Sequence, residues 1–391
     1  VSTMSPAVAG PPPRFSVDEL RDRRDRLLAS AAEAGADTVL AYGANRFGSA
    51  VGWLTTWPVT REAVVVLDGD GPARLLVGFP NHVPDARRTV RDAGLGDEVG
   101  MLDGDAPDAV LRALASGGAP RRVALLGPVP GPIRDAVAGW ATGTVRLDEA
   151  YTRLRMTKSA EELTWLEYAA ALTDRGAQAL LAAAATGASE REMVAAAEHA
   201  YRAAGGTHHI CYVTTTSMAD PDRCVPAQWP GDRRTEPGSV VIFELSAGWG
   251  PDHPAQLLRT ATVGAPPTAR YAHLHRVAEE VRDDLLDRIR PGARPADLLG
   301  VLDRVRAEGL TTVDDLVHGL GGGYLPPVLS GRGRPLRGPH AEPLRPGMTL
   351  VVQPNICTTD LVAGVQTGEM VVVTAAGWRS LHRFPAGMPR L

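Results

Sequence analysis

With 391 residues, 44% of them hydrophobic and 22% charged, the chain holds enough apolar material for two domains with sizeable cores. A formal net charge of −4, with lysines and arginines dispersed among acids, argues against nucleic-acid or acidic-membrane partners. Three cysteines (Cys211, Cys224 and Cys357) exclude a disulfide framework or zinc cluster, and without a membrane-length apolar run or a signal-like start the expected location is cytoplasmic.

In chain order, the Pro- and Ala-rich residues 1–14 are expected to be disordered. Ser16 with Glu19 forms a capping-box pattern, and Leu20, Leu27 and Leu28 mark one face of a helix that stops near Gly35. Apolar runs over 38–42, 63–67, 73–78 and 122–126 predict strands, and 107–115 and 133–138 predict helices, giving an α/β domain over 15–152. Between the first two strands, 45–61 reads as a loop carrying Trp53 and Trp57, which either meet a ligand or partner or pack on their own domain.

A linker over 153–158 leads to a second domain, 153–391. Ser159 with Glu162 and Ser189 with Glu192 open two helices, the second closing at Gly205-Gly206. Strands follow at 209–214, 239–245 and 257–263, then helices at 268–290 and 295–308. Two β-branched runs, 350–352 and 370–373, flank a polar loop and predict neighbouring buried strands. The order helix, helix, strands, repeated once, predicts a duplicated, mostly antiparallel sheet covered by helices. Gln353 at the end of one strand, and Gln366, Thr367 and Glu369 at the start of the next, are placed to project into a cleft.

Several phrases together carry a family resemblance: RMTKSAEELTWLEYAAALTDRG, TGASEREM, EPGSVVIFELSAGWG, LLRTATVG, VHGLGGGY, LRPGMTLVVQPN and GVQTGEMVVVT. In this order, over about residues 15–385, the chain resembles the creatinase, prolidase and aminopeptidase P superfamily. The resemblance implies an N-terminal creatinase-type domain and a C-terminal pita-bread catalytic domain. It also implies a homodimer in which one subunit's N-terminal domain lies near its partner's site, with the Trp53-Arg61 loop contributing.

Metallopeptidase members of that superfamily carry two aspartates, a histidine and two glutamates as ligands. By resemblance the first aspartate falls at Glu244 or Leu245, the second at Gln256, and the histidine at His318. The first glutamate falls at Gln353, and the second at Gly368 beside Glu369. Two divalent ions need several ligand carboxylates, and amide oxygens are neutral, weak ligands. The substitutions therefore resemble in kind the metal-free creatinase-like or ectoine-hydrolase-like branch, with no metal and no cofactor expected.

His318, an imidazole with an ordinary pKa near neutrality, suits a general base. Glu244 and Glu369 suit proton transfer or binding of a cationic group, against a role in structural salt bridges. Gln353, Gln256 and Gln366 each offer donor and acceptor for substrate. One of His208 and His209 faces the cleft by strand alternation, and the sequence leaves open which. Tyr324 and Trp57 complete the substrate-binding candidates. The function expected on this reading is metal-independent hydrolysis of an amide or amidine C–N bond in a small polar metabolite. The alternatives are a non-catalytic ligand- or peptide-binding protein, a metal-dependent Xaa-Pro aminopeptidase or dipeptidase, and a lyase acting on a specialised metabolite.

Overall fold

The computed structural model of the protein describes residues 11–391 except Arg46, Asp70, Asp103, Arg332 and Arg334. Most of the stretch expected to be disordered thus lies outside the described residues. Two compact units make up the chain: Arg14–Arg155 with Gly250–Asp252, and Met156–Trp249 with His253–Leu391.

The first unit runs α1 (Val17–Glu33), β1 (Thr38–Ala44), α2 (Ala50–Thr55), β2 (Glu62–Asp68), β3 (Arg74–Val77), α3 (Val83–Asp92), β4 (Val99–Met101), α4 (Ala106–Ala115), β5 (Arg122–Leu126), α5 (Gly131–Trp140), β6 (Gly143–Arg146) and α6 (Asp148–Met156). Its mixed sheet has the order β4-β3-β2-β1-β5-β6. Strand alternation sends Val39, Ala41, Val65 and Leu67 to one core with α1 and α2, and Leu40, Tyr42, Val64 and Val66 to another with α4 and α5. Both faces are covered, which is why these strands read as unbroken apolar runs. At α1, Ser16 caps Glu19 N–H at 3.1 Å, while the Glu19 carboxylate accepts from Arg23 Nε at 2.7 Å.

Trp53 and Trp57 correct an expectation. The predicted loop contains α2, and the two indoles are 1% and 5% exposed within the core of this unit. Burying two indoles is a large apolar gain for a domain of this size, so Trp57 has no surface left for substrate or partner.

The second unit runs α7 (Ala160–Ala185), α8 (Glu190–Arg202), β7 (Thr207–Ser217), β8 (Ser239–Trp249), β9 (His253–Thr262), α9 (Ala269–Arg288), α10 (Pro295–Leu298), α11 (Leu302–Ala307), β10 (Leu310–Thr311), β11 (Asp315–Leu320), β12 (Tyr324–Ser330), β13 (Thr349–Val352), β14 (Asn355–Thr358), β15 (Gly364–Gln366), β16 (Gly368–Thr374) and β17 (Gly377–Ser380). The helix expected over 295–308 is interrupted by a 3-10 turn at Leu299–Val301. Both predicted capping boxes are made: Glu162 N–H to Ser159 at 3.1 Å and the return bond at 3.0 Å, with the same exchange at Ser189 and Glu192.

A curved antiparallel sheet has the order β12-β11-β13-β16-β9-β8-β7, with β17 beside β16, and a smaller sheet has the order β10-β14-β15. Helices α7 and α8 pack on the half containing β7, β8 and β9 through Leu172, Leu180, Tyr201, Phe243 and Leu257. Helix α9 packs on the other half through Tyr271, Leu274 and Val281 against Val317, Leu350 and Val371. Each half is thus a sheet segment roofed by helices, as the repeated element order predicts.

Candidate active site

Four polar side chains meet on one face of the sheet. In the antiparallel β8–β9 pair, Glu244 lies opposite Leu258 and Ser246 opposite Gln256, so Glu244 and Gln256 leave the same face. His318 on β11 lies opposite Val351 on β13. Gln353 follows two residues later, its N–H fixed to Leu316 O at 2.9 Å, and emerges on the face of His318.

The contacts form one continuous chain. Gln256 Nε2 donates to Glu244 Oε1 at 2.7 Å and to Gln353 Oε1 at 2.8 Å. His318 Nε2 lies 3.3 Å from the same Gln353 oxygen, and His318 Nδ1 lies 3.0 Å from Gly319 O. Gln256, His318 and Gln353 are buried, and Glu244 is half-buried. Tyr324 lies on the imidazole, ring centroids 3.9 Å apart and planes 22° from parallel, and donates its hydroxyl to Asp315 Oδ2 at 2.5 Å. Gln366 donates to Glu244 and reaches Asp314 Oδ2 at 3.5 Å; its own Oε1 is buried with no hydrogen-bond partner.

The surroundings set the charge of each group. Burial, and then the charge of Asp314, push the Glu244 carboxyl from 4.5 to about 8, so it is largely protonated at neutral pH. Burial pulls His318 down from 6.5 to about 4, against the opposing pull of Gly319 O, Asp315 and Gln353, so its ring is neutral. Burial, the bond to Asp315 and the nearby acids raise the Tyr324 hydroxyl, which remains a neutral donor. The site therefore presents a protonated carboxyl, a neutral imidazole, three amides and a phenol.

Other predicted residues lie elsewhere. Glu369 is paired with Leu257, the neighbour of Gln256, so its side chain leaves the opposite face. There it accepts from Arg259 Nη2 at 2.7 Å, within a clasp in which Arg259 Nε also donates to Pro385 O at 3.0 Å. The expectation that Glu369 faces the cleft fails because Gly368 and Glu369 alternate across the sheet. His208 turns towards α8, its Nδ1 2.8 Å from Tyr201 Oη. His209 lies close enough for its charge to depress His318. Asp314 and Asp315 were absent from the sequence candidates, although their position just before VHGLGGG placed them at the start of a site strand.

The profile described as Metallopeptidase family M24 matches residues 164–375. The chain belongs to metallopeptidase family M24. A curated relative, the Xaa-Pro dipeptidase of Pyrococcus furiosus, is 24% identical over 61% of this chain and 66% of its own length. The match thus spans just under two thirds of that relative. Among solved structures, an Xaa-Pro dipeptidase from Bacillus anthracis superposes at TM-score 0.76 with 19% identity, over 95% of this chain and 100% of that one. A prolidase from Thermococcus sibiricus superposes at TM-score 0.78 with 17% identity, over 96% and 100%. The fold is the two-domain pita-bread architecture with its curved antiparallel sheet.

These findings overturn the metal-independent, creatinase-like reading. The matching family is one of metallopeptidases, and the named relatives are dipeptidases. The glutamines misled because substitutions at ligand positions report on local charge and carry no information about the scissile bond.

The M24 assignment implies divalent cations, and the side chains present do not fit a cation pair. Among the described residues no three His, Cys, Asp or Glu side chains lie together as a metal group. Gln256 and Gln353 bring neutral amides in place of carboxylates, and the Gln353 oxygen already lies against Gln256 Nε2 and His318 Nε2. At Gly368, where the resemblance places a glutamate, φ is +149° and an added Cβ would lie 2.0 Å from Val352 O, so the backbone leaves no room for a side chain.

Proposed function

We propose that the chain is a dipeptidase-type hydrolase that cleaves the peptide C–N bond of a short substrate, with Xaa-Pro dipeptides as its class. The observation that carries this reading is its membership of a peptidase family alongside relatives named Xaa-Pro dipeptidases, with a polar cluster at the matching positions. In this reading a water molecule adds its hydroxide to the scissile carbonyl carbon as the C–N bond breaks. Glu244, protonated at neutral pH, gives its proton to the departing nitrogen, and the water's remaining proton restores the carboxyl. Gln256 and Gln353 hold Glu244 and His318 in register. The unpartnered Gln366 Oε1 accepts a substrate N–H, which removes a buried acceptor otherwise left unsatisfied. Tyr324 covers His318, its hydroxyl already given to Asp315 Oδ2.

A second reading, a peptide-binding protein without turnover, is favoured by one observation: the donor set does not fit the cations that the family implies. One assay separates the two. Purified protein is given a panel of Xaa-Pro dipeptides with and without added Mn²⁺, and free proline is measured beside binding by calorimetry. Proline release supports hydrolysis; binding without release supports the second reading; neither binding nor release sinks both.

We also propose a homodimer that assembles without Trp57 at its interface, since that indole is buried within its own unit. Light scattering at micromolar concentration is expected to give twice the chain mass, and a monomer would contradict this.

A further inference from the structure

We propose that Cys224 and Cys357 form an oxidisable thiol pair that closes into a reversible disulfide, joining the segment before Cys224 to β14.

Three geometric observations carry this. The two thiols are hydrogen-bonded to each other, and Cys357 Sγ also lies 3.6 Å from Cys224 O and 3.1 Å from Asn355 Oδ1. The backbones are held together independently of the sulfurs: Arg223 bridges to Ala363, and Asn355 Nδ2 donates to Cys224 O at 3.2 Å. Gly364, paired with Cys357 across β14–β15, makes the approach possible. A Cβ there would stand 2.3 Å from Cys224 O and 2.9 Å from both Cys224 Cβ and Cys357 Sγ, so any larger residue would drive the cysteines apart. The pair is 133 residues apart in sequence, which is why the spacing gave no sign of it.

The chemistry is asymmetric. Cys357 donates to Cys224, which holds the Cys224 thiol down at about 7 and pushes Cys357 up. Cys224 is therefore the nucleophile and Cys357 the resolving thiol. With a hydroperoxide as oxidant, Cys224 thiolate attacks the terminal oxygen and the O–O bond breaks. The alkoxide takes a proton and leaves as an alcohol, giving Cys224 sulfenic acid. Cys357 then attacks the Cys224 sulfur: the S–S bond forms, the S–O bond breaks, and hydroxide leaves with the Cys357 proton as water. In sum, two thiols and one hydroperoxide become one disulfide, one alcohol and one water. Cys211, buried on β7 and pushed up to about 12, is an internal control that stays reduced.

The test is alkylation counting on the full chain. Protein is treated with a small excess of tert-butyl hydroperoxide, quenched, denatured, alkylated with iodoacetamide and mapped by mass spectrometry. The expected result is alkylation at Cys211 alone, a Cys224–Cys357 cross-linked peptide lighter by two hydrogens, and a return to three alkylated cysteines after dithiothreitol. Cys357→Ser should instead stop at sulfenic acid on Cys224, trapped by dimedone. Cys224→Ser should leave both Cys211 and Cys357 alkylatable. Three alkylated cysteines after peroxide, or overoxidised Cys224 in wild-type protein with Cys357 still a free thiol, would overturn the proposal.

Discussion

Glu244 and His318 make opposite contributions to stability as pH changes. The folded Glu244 carboxyl titrates near 8 against an ordinary 4.5, so its contribution is full below 4.5 and is lost as pH rises through about 8. The folded His318 titrates near 4 against 6.5, so its contribution is full above 6.5 and is lost as pH falls through about 4. Glu244→Gln removes the alkaline loss alone. Thermal unfolding at pH 5 and pH 9 should therefore show the variant gaining on wild type at pH 9, and parallel curves at both values would show that the carboxyl is not held protonated. At this scale the sequence was informative about identity and weak on environment. The VHGLGGGY and VVQPN phrases located His318 and Gln353, and the LLRT phrase located Gln256. That the two amides would spend themselves on Glu244 and His318 depends on the β8–β9 and β11–β13 registers, which no local pattern encodes. Glu369 looked equivalent to Glu244, and one step of alternation sent it to Arg259.

Among the elements, strands with long β-branched runs were legible and short or irregular ones were not. Strand β12 reads YLPPVLS, and its two prolines hid it; it survives because it lies at the sheet edge, where missing N–H groups need no partner. Strands β14 and β15, of 4 and 3 residues, are too short to show a period. Helix α2 spans only 6 residues, too short for a helical period to show. The turn into β16 carries a sharper constraint. Gly368→Ala would force a Cβ against Val352 O at a backbone angle that side chains rarely adopt, and should cost about 1–3 kcal/mol. Urea unfolding measures this, and a change below roughly 0.5 kcal/mol, the range of neutral surface substitutions, would mean that the strand pair yields freely.

For the whole molecule, the doubled helix–helix–strand order was readable because each half repeats the same covering of sheet by helix, and the M24 assignment agrees with it. Among the described residues no helix is long and apolar enough to cross a membrane. An Xaa-Pro substrate class was readable only through the family resemblance, as one alternative among several, because the polar residues of the site converge only after folding. In the proposed function Glu244 is the proton donor to a short Xaa-Pro peptide. The direct measurement is the turnover of the best Xaa-Pro dipeptide by wild type and Glu244→Gln across roughly pH 5 to 9, a range that brackets neutrality. The wild-type rate is expected to fall as pH rises through about 8, as Glu244 loses its proton. The variant is expected to be slower by about 10²–10⁴-fold in kcat, with little change in KM and no alkaline limb. A variant as fast as wild type, with the same pH profile, would contradict that role for Glu244.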